Sequence, residues 1–187
     1  MIVRFFVLFA ASMVLTLAAS VACASDWPVY NGNPEGTHYS ALSQINRSNV
    51  SSLKLAWTFD AGDANGASEL EANPLVIGGT MFVLSATLKV IALDAATGKE
   101  KWRFDPHKGE TIHSKMRSRG VAYWTDGKER RIFANVGQFI YSRDARNGKP
   151  DPRFGKAGRV DMRDGLGRSP DELSISNPSP GVIYKDV

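Results

Sequence analysis

Short hydrophobic runs, each followed by a polar turn sequence, recur along the chain from residue 53 onward. Runs of this length that favour β-branched and aromatic residues predict strands, since the side chains of a strand alternate between its two faces. The predicted strands cover residues 53–59, 74–77, 81–84, 90–93, 101–104, 120–124, 131–135 and 139–143. The turns between them are tight and rich in Gly and Asp, so we expect antiparallel meanders of four strands.

One turn sequence occurs twice in the chain. The pattern Asp-x-x-x-Gly-Lys begins at Asp94 and again at Asp144, 50 residues later, and Trp57 precedes Trp102 by 45 residues. Four-stranded repeats of about 40–50 residues are typical of β-propeller blades. Propellers have at least about four blades, and this chain holds fewer than three repeats. We therefore expect the N-terminal portion of an all-β propeller.

The first 24 residues have the pattern of a secretory signal peptide. A positive start at Arg4 is followed by an apolar stretch, residues 5–19, and then by small residues at 22–24. This order predicts export and cleavage after residue 24, which places the mature chain, 25–187, in the periplasm. A membrane anchor is the first alternative, but it needs about 20 strongly apolar residues. Lipidation of Cys23 is the second.

Composition and charge narrow the possible partners. The chain has 187 residues and a net charge of +4, and its longest basic run is Arg130-Arg131. A nucleic-acid partner is therefore not expected. Cys23 is the only cysteine, so the mature chain has neither a disulfide nor a cysteine-ligated metal. It also lacks a second long apolar run, so no transmembrane segment is predicted in it.

Residues 92–102, Ala-Leu-Asp-Ala-Ala-Thr-Gly-Lys-Glu-Lys-Trp, resemble the tryptophan-docking motif of quinoprotein dehydrogenases. Here Gly98 permits a tight turn and Trp102 buries a large flat surface between blades, while the second copy, 142–152, lacks the Trp. Further segments resemble the same family, in order along the chain: 27–40, 44–50, 119–124, 154–161 and 180–186. The series as a whole is similar to the pyrroloquinoline-quinone (PQQ)-dependent alcohol and glucose dehydrogenases.

The resemblance implies an eight-bladed quinoprotein propeller that holds PQQ near its axis beside a Ca²⁺ ion. In this family a catalytic Asp takes the hydroxyl proton of an alcohol or sugar substrate and hydride passes to the quinone. Electrons then leave to ubiquinone or a cytochrome c. The catalytic Asp and the Ca²⁺ ligands of the family fall beyond Val187, so no catalytic residue or metal ligand is assigned within this chain. The loops that would select the substrate also lie largely outside it.

The family motifs indicate four cofactor-binding residues. The family Glu that lies three residues before a strand Pro corresponds to Glu71, and the Arg of the Arg-Gly-x-Ala-Tyr-Trp segment corresponds to Arg119. An Arg suits a quinone carboxylate because its planar fork makes charge-assisted hydrogen bonds. A family Thr corresponds to Asn177. The vicinal Cys-Cys disulfide of the alcohol dehydrogenases is replaced by His113 and Ser114, which favours the glucose-dehydrogenase-like branch and makes His113 a candidate to cover the quinone face.

Each of these assignments has a plainer alternative. Glu71 and Arg119 taken alone are ordinary surface charges, and His113 taken alone is a loop histidine. Trp57 and Trp102 are interpreted as structural, because blade docking accounts for them without a ligand. For the whole protein, the competing hypothesis is a non-catalytic scaffold propeller of the outer-membrane-assembly type, which shares the docking motifs and binds no cofactor.

Overall fold

The computed structural model describes residues 26–185, which form two four-stranded antiparallel sheets. Each sheet is a meander in which strands adjacent in sequence are hydrogen-bonded neighbours. The first blade contains β1 (Leu75–Ile77), β2 (Thr80–Leu84), β3 (Val90–Asp94) and β4 (Glu100–Phe104). The second blade contains β5 (Ala122–Thr125), β6 (Arg130–Val136), β7 (Phe139–Asp144) and β8 (Arg159–Asp161). The same residues include two short 3₁₀ helices, Val50–Ser52 and Pro170–Glu172.

Seven of the predicted strands are confirmed to within two residues at each end. The prediction of a strand at 53–59 is wrong, because this segment pairs with no other strand among residues 26–185. Leu53 and Leu55, which lie on the same face of the alternating pattern, are exposed because no sheet of the described residues covers them.

The fourth strand of the second blade is the one that the hydrophobic pattern does not predict. After the turn that follows β7, Pro150 forms an isolated bridge with Arg143. The chain then leaves the sheet and returns as β8, which pairs with the opposite end of β7. Pro150 and Pro152 have no backbone N–H to donate to a neighbouring strand. The fourth strand is therefore interrupted at these residues.

The hydrophobic core lies between the two blades. Phe82, Val90 and Ala92 from the first blade form one buried cluster with Ile132 and Ala134 from the second. Each fully buried Leu, Ile or Phe side chain stabilises the folded state by about 1.5–3 kcal/mol. The blades are therefore held together mainly by packing of one sheet face on the other.

A buried arginine belongs to the same interface. Arg143 on β7 is 7% exposed, and its guanidinium carbon lies 3.4 Å from the centroid of the Phe104 ring. Its Nε has no hydrogen-bond partner among residues 26–185. Burial lowers the pKa of Arg143 to about 10, so the side chain stays charged at neutral pH. The Phe104 ring, from the neighbouring blade, is the partner of this cation.

Trp102 of the first blade docks on the turn between β7 and β8. Its indole N–H donates to the carbonyl of Ala145 at 3.0 Å, and its ring lies over Gly148. A Cβ at Gly148 would be 2.6 Å from Trp102 Cε3, which leaves room for glycine alone. Trp57 docks in the same way on the β3–β4 turn, where it covers Gly98. The structural function predicted for both tryptophans is confirmed.

The connections between strands gather at two ends of the blades. At one end, the β1–β2 and β3–β4 turns meet through a 3.0 Å hydrogen bond from Ala95 N–H to the carbonyl of Gly79. At the other end, the imidazole Nε2 of His107 lies 2.8 Å from the carbonyl oxygen of Thr87 in the β2–β3 turn. We call these the docking end and the loop end. The connections at the loop end carry Glu71, His113, Arg119 and Asn177.

The outer face of the second blade borders a cavity of about 560 Å³. Its walls are mostly apolar and include Trp124, Phe133, Ile140, Phe154 and Ile183. Within residues 26–185 no third sheet packs on this face. The second blade thus has one face in the core and one face open.

No helix within residues 26–185 is long and apolar enough to cross a membrane. The predicted signal peptide, residues 1–24, lies outside the described residues.

Candidate cofactor site

Three connections lie side by side at the loop end. The backbone N–H of Asn73 donates to the carbonyl of Arg119 at 2.9 Å, and the N–H of Arg119 donates to the carbonyl of Pro178 at 2.7 Å. Gly120 has a φ of +142°, and a Cβ there would lie 2.8 Å from the carbonyl oxygen of Asn73, so the close approach requires glycine. This backbone ladder joins the three segments that carry the four predicted site residues.

A cavity of about 330 Å³ opens at the loop end. Two loop-end connections and the β2–β3 and β6–β7 hairpins line it, with Leu88, Ser114, Lys115, Met116, Arg117, Asn135, Gly137, Ser176, Asn177 and Pro178. These residues include two cations and several hydroxyl and amide groups, but neither Asp nor Glu. The volume is near the lower limit for small-molecule sites, about 300–1,000 Å³. The cavity therefore suits a compact anionic ligand.

The four predicted residues differ in their relation to this cavity. Asn177 lines it, while Glu71, His113 and Arg119 are exposed side chains outside its lining. Nη1 of Arg119 donates to the hydroxyl of Ser179 at 3.4 Å, next to the backbone ladder. The structure thus brings the segments together around the cavity and places one of the four side chains in its wall. Contact of these four residues with a quinone stays a prediction.

Four charged side chains form an ion-pair cluster at the rim of the cavity, and we call Glu69, Glu71, Lys115 and Arg117 the rim cluster. Lys115 Nζ donates to Glu69, and Nε of Arg117 donates to Glu69 at 3.1 Å. The same Nε lies 3.8 Å from a carboxylate oxygen of Glu71. The Lys115 ammonium holds the pKa of Glu69 below its ordinary value, and Arg117 adds to the effect. The cluster thus joins the segment before β1 to the connection between β4 and β5.

The family motifs do not predict Lys115 and Arg117 as part of the site. The sequence does contain one relevant signal, since Glu69 and Glu71 share a two-residue spacing with Lys115 and Arg117. Nearly 50 residues separate the two acidic residues from the two basic ones, and only the folded structure shows that the two segments lie side by side. The ion pairs therefore cannot be predicted from the sequence pattern alone.

Asp63 attaches the segment before β1 to the first blade. One oxygen of its carboxylate accepts hydrogen bonds from the hydroxyls of Ser85 and Thr87, each at 2.5 Å, and from Thr87 N–H at 3.3 Å. Burial raises the pKa of Asp63, but these hydrogen bonds outweigh burial and leave the pKa below its ordinary value. Asn65 adds a second attachment by donating its side-chain amide to the carbonyl of Ile112 at 2.8 Å. The part of the segment that precedes Glu71 is therefore held in place by these hydrogen bonds.

Two four-stranded meanders locked together by tryptophan docking are blades of a β-propeller. The sequence matches the PQQ-dependent glucose/ethanol/alcohol dehydrogenase β-propeller domain over residues 27–187. The chain belongs to this quinoprotein family, and the fold class and family expected from the sequence are confirmed.

Several characterised proteins are similar to this chain. Quinoprotein glucose dehydrogenase A of Acinetobacter calcoaceticus is 35% identical over 87% of this chain and 24% of its own length. The quinoprotein glucose dehydrogenase of Escherichia coli K12 is 36% identical over 91% of this chain and 24% of its own length. The crystal structure of quinohemoprotein alcohol dehydrogenase from Comamonas testosteroni matches with a TM-score of 0.61 at 29% identity, covering 79% of this chain and 21% of that one. The chain thus spans about a quarter of the length of these relatives.

Proposed function

We propose that this chain is the N-terminal portion of a periplasmic PQQ-dependent dehydrogenase that oxidises an alcohol or an aldose sugar. The observation that carries the proposal is the cavity at the loop end, whose lining contains Lys115 and Arg117 and neither Asp nor Glu, in a chain that belongs to the PQQ propeller family. Ubiquinone or a cytochrome c is the proposed electron acceptor. The periplasmic location rests on the signal-peptide pattern of residues 1–24.

The residues around the cavity fit a tricarboxylated quinone. Lys115 and Arg117 offer positive charge, and the amide of Asn177 both donates and accepts hydrogen bonds. Arg119, on the adjoining ladder, adds a planar fork that matches a carboxylate. When bound, PQQ supplies the two-electron acceptor for the hydride of the substrate. The residues of this chain bind the quinone and fix its orientation.

The proposal places the catalytic Asp and the Ca²⁺ ligands beyond Val187, as the family resemblance implies. Residues 26–185 contain no group of three His, Cys, Asp or Glu side chains arranged to hold a metal ion. Another similar solved structure is a europium-containing methanol dehydrogenase, with a TM-score of 0.55 and 33% identity over 67% of this chain and 22% of that one. The metal in that relative supports a metal-dependent site in the complete protein.

Within this class we favour a sugar substrate. His113 and Ser114 stand where the alcohol dehydrogenases carry the vicinal disulfide. This difference at residues 113 and 114 supports the glucose-dehydrogenase-like assignment.

The proposal is tested on the apo form of the full-length gene product. PQQ is titrated in the presence of Ca²⁺ while intrinsic tryptophan fluorescence is followed, and dye reduction is then measured with glucose and with ethanol. We expect saturable quinone binding and reduction of the dye with at least one substrate. Absence of quinone binding would overturn the proposal in favour of a scaffold propeller.

Export is tested separately. The N-terminus of the protein recovered from the periplasm should begin at Ser25, because cleavage is expected after Ala24. A retained N-terminus, or a lipid on Cys23, would contradict the proposed location.

A further inference from the structure

Arg117 in the rim cluster has hydrogen-bond donors that the ion pairs do not use. Among residues 26–185, the hydrogen bond of the Arg117 guanidinium uses Nε, which donates to Glu69, while Nη1 and Nη2 make none. Those two nitrogens form the outer edge of the planar fork, which is the edge that binds a carboxylate with two parallel hydrogen bonds. Arg117 is also in the lining of the 330 Å³ cavity. Its free edge is therefore available to a ligand there.

The ion pairs of the rim cluster are open to exchange. The side chains of Arg117 and Lys115 are 54% and 37% exposed, and that of Glu69 is 42% exposed. Ion pairs with this exposure contribute little, since water screens the charges and ordering of long side chains costs entropy. A carboxylate that enters the cavity can thus compete with Glu69 for both cations.

Resting on the proposed function, we propose that Arg117 and Lys115 form a carboxylate subsite for the quinone and that Glu69 competes with the quinone for it. The subsite differs from the Arg119 position, which lies outside the cavity lining. The competing acid belongs to the segment that Asp63 fixes to the first blade. Affinity for the quinone is therefore set partly by an acidic residue that opposes binding.

The test is equilibrium binding of PQQ to the apo, Ca²⁺-supplemented full-length protein, measured by ultrafiltration and quinone absorbance at several salt concentrations. Arg117→Gln should weaken binding about tenfold, because a hydrogen-bonded charge is lost. Arg117→Lys should fall between the parent and Arg117→Gln, because it keeps the charge and loses the fork. Glu69→Gln should tighten binding about threefold, as expected when an exposed ion pair is removed.

Lys128→Gln is the matched control, since Lys128 is an exposed lysine on the β5–β6 turn at the docking end. It should bind PQQ like the parent. If Arg117→Gln also binds like the parent, or if Glu69→Gln weakens binding, the subsite is wrong while the proposed function stands. If the parent binds no quinone, the proposed function fails and the subsite with it. The opposite signs expected for Arg117→Gln and Glu69→Gln distinguish competition from a general loss of folding.

Discussion

At the scale of single residues, the contact between Trp102 and Gly148 joins the two blades, and it is possible because glycine has no side chain. The indole ring lies where a Cβ would be, at 2.6 Å, and the same relation holds between Trp57 and Gly98. Glycine is needed at position 148 for two reasons: the indole ring leaves no room for a Cβ, and the backbone has a φ of +71°. The family motif predicts this pairing of residue types, and the structure explains why neither can change alone.

Gly148→Ala should destabilise the protein more than an alanine placed at another positive-φ glycine. Any such alanine costs about 1–2 kcal/mol for its backbone conformation, and the collision with Trp102 adds about 1–3 kcal/mol of overpacking. Gly127→Ala is the control, because Gly127 has a φ of +89° and no atom lies within 4 Å of the position that a Cβ would take there. Urea unfolding followed by tryptophan fluorescence gives both values. Equal losses for the two variants would contradict the docking explanation.

Arg119→Lys should weaken quinone binding in the full-length protein. Lysine keeps the charge but loses the planar fork, and a charge-assisted contact of this kind contributes about 1.5–3 kcal/mol, or roughly a tenfold to hundredfold change in affinity. Arg130→Lys, at an exposed position where β6 begins, should change little. The measurement is a PQQ titration of apo-protein with Ca²⁺. If both variants bind like the parent, Arg119 is a surface charge.

At the scale of elements, hydrophobic alternation predicts a strand only where a partner strand exists. Residues 90–93 are predicted and found because β2 and β4 flank them. The alternation at 53–59 is just as regular, yet the segment has no strand partner within residues 26–185. The opposite error occurs at β8, which is a strand that the pattern does not predict. Its charged sequence has no apolar run, and it forms a strand because it pairs with β7.

Prediction of the candidate site from the sequence is limited in the same way, because it depends on which segments meet in the fold. Family motifs predict Glu71, Arg119 and Asn177 on separate segments, and the backbone ladder explains why these segments meet. Lys115 and Arg117 escape prediction because their relevance depends on which side chains face them across the rim. Such pairings between distant segments are a property of the folded chain and are not encoded in any short motif.

Asp63→Asn should loosen the segment before β1 in a pH-dependent way. The folded-state pKa of Asp63 lies below its ordinary value, so its stabilising effect is present above that ordinary value and is lost as pH falls through the folded-state pKa. At pH 7 we expect a loss of about 1–2 kcal/mol, less than for a fully buried charged hydrogen bond.

Urea unfolding midpoints at pH 7, 4 and 3 measure this effect. The difference between Asp63→Asn and the parent should shrink toward pH 3, because below its ordinary pKa the carboxyl is increasingly protonated in the unfolded chain and must lose that proton on folding. Asp171→Asn, at an exposed position in the second 3₁₀ helix, is the control and should leave the midpoints unchanged. A difference that stays constant with pH would show that Asp63 acts through shape and not through charge.

At the scale of the whole molecule, the two blades have apolar surface on both outer sides. On one side lies the unpaired segment 53–59, with Leu55 80% exposed. On the other lies the 560 Å³ cavity with its aromatic walls. Contiguous exposed apolar patches on a monomer often mark interaction surfaces, and open strand edges promote association.

Residues 25–187 produced alone should therefore associate and lack enzyme activity. We expect β-type circular dichroism, elution in size-exclusion chromatography well ahead of the position of a monomer, and no quinone-dependent dye reduction. The full-length protein at the same concentration is the comparison and should elute at its own mass. Robust turnover by the isolated piece would contradict the placement of the catalytic Asp beyond Val187.

The direction of docking has a consequence for the order in which the protein matures. Each tryptophan docks on a turn that lies later in the sequence: Trp57 docks on the turn at Gly98, and Trp102 docks on the turn at Gly148. Since ribosomes add about 5–20 residues per second, roughly 2–9 seconds separate the synthesis of each indole from that of its glycine. Nascent chains arrested before residue 148 should thus show Trp102 open to oxidation, and chains arrested well after it should not. Slow codons between a tryptophan and its glycine would lengthen that vulnerable interval.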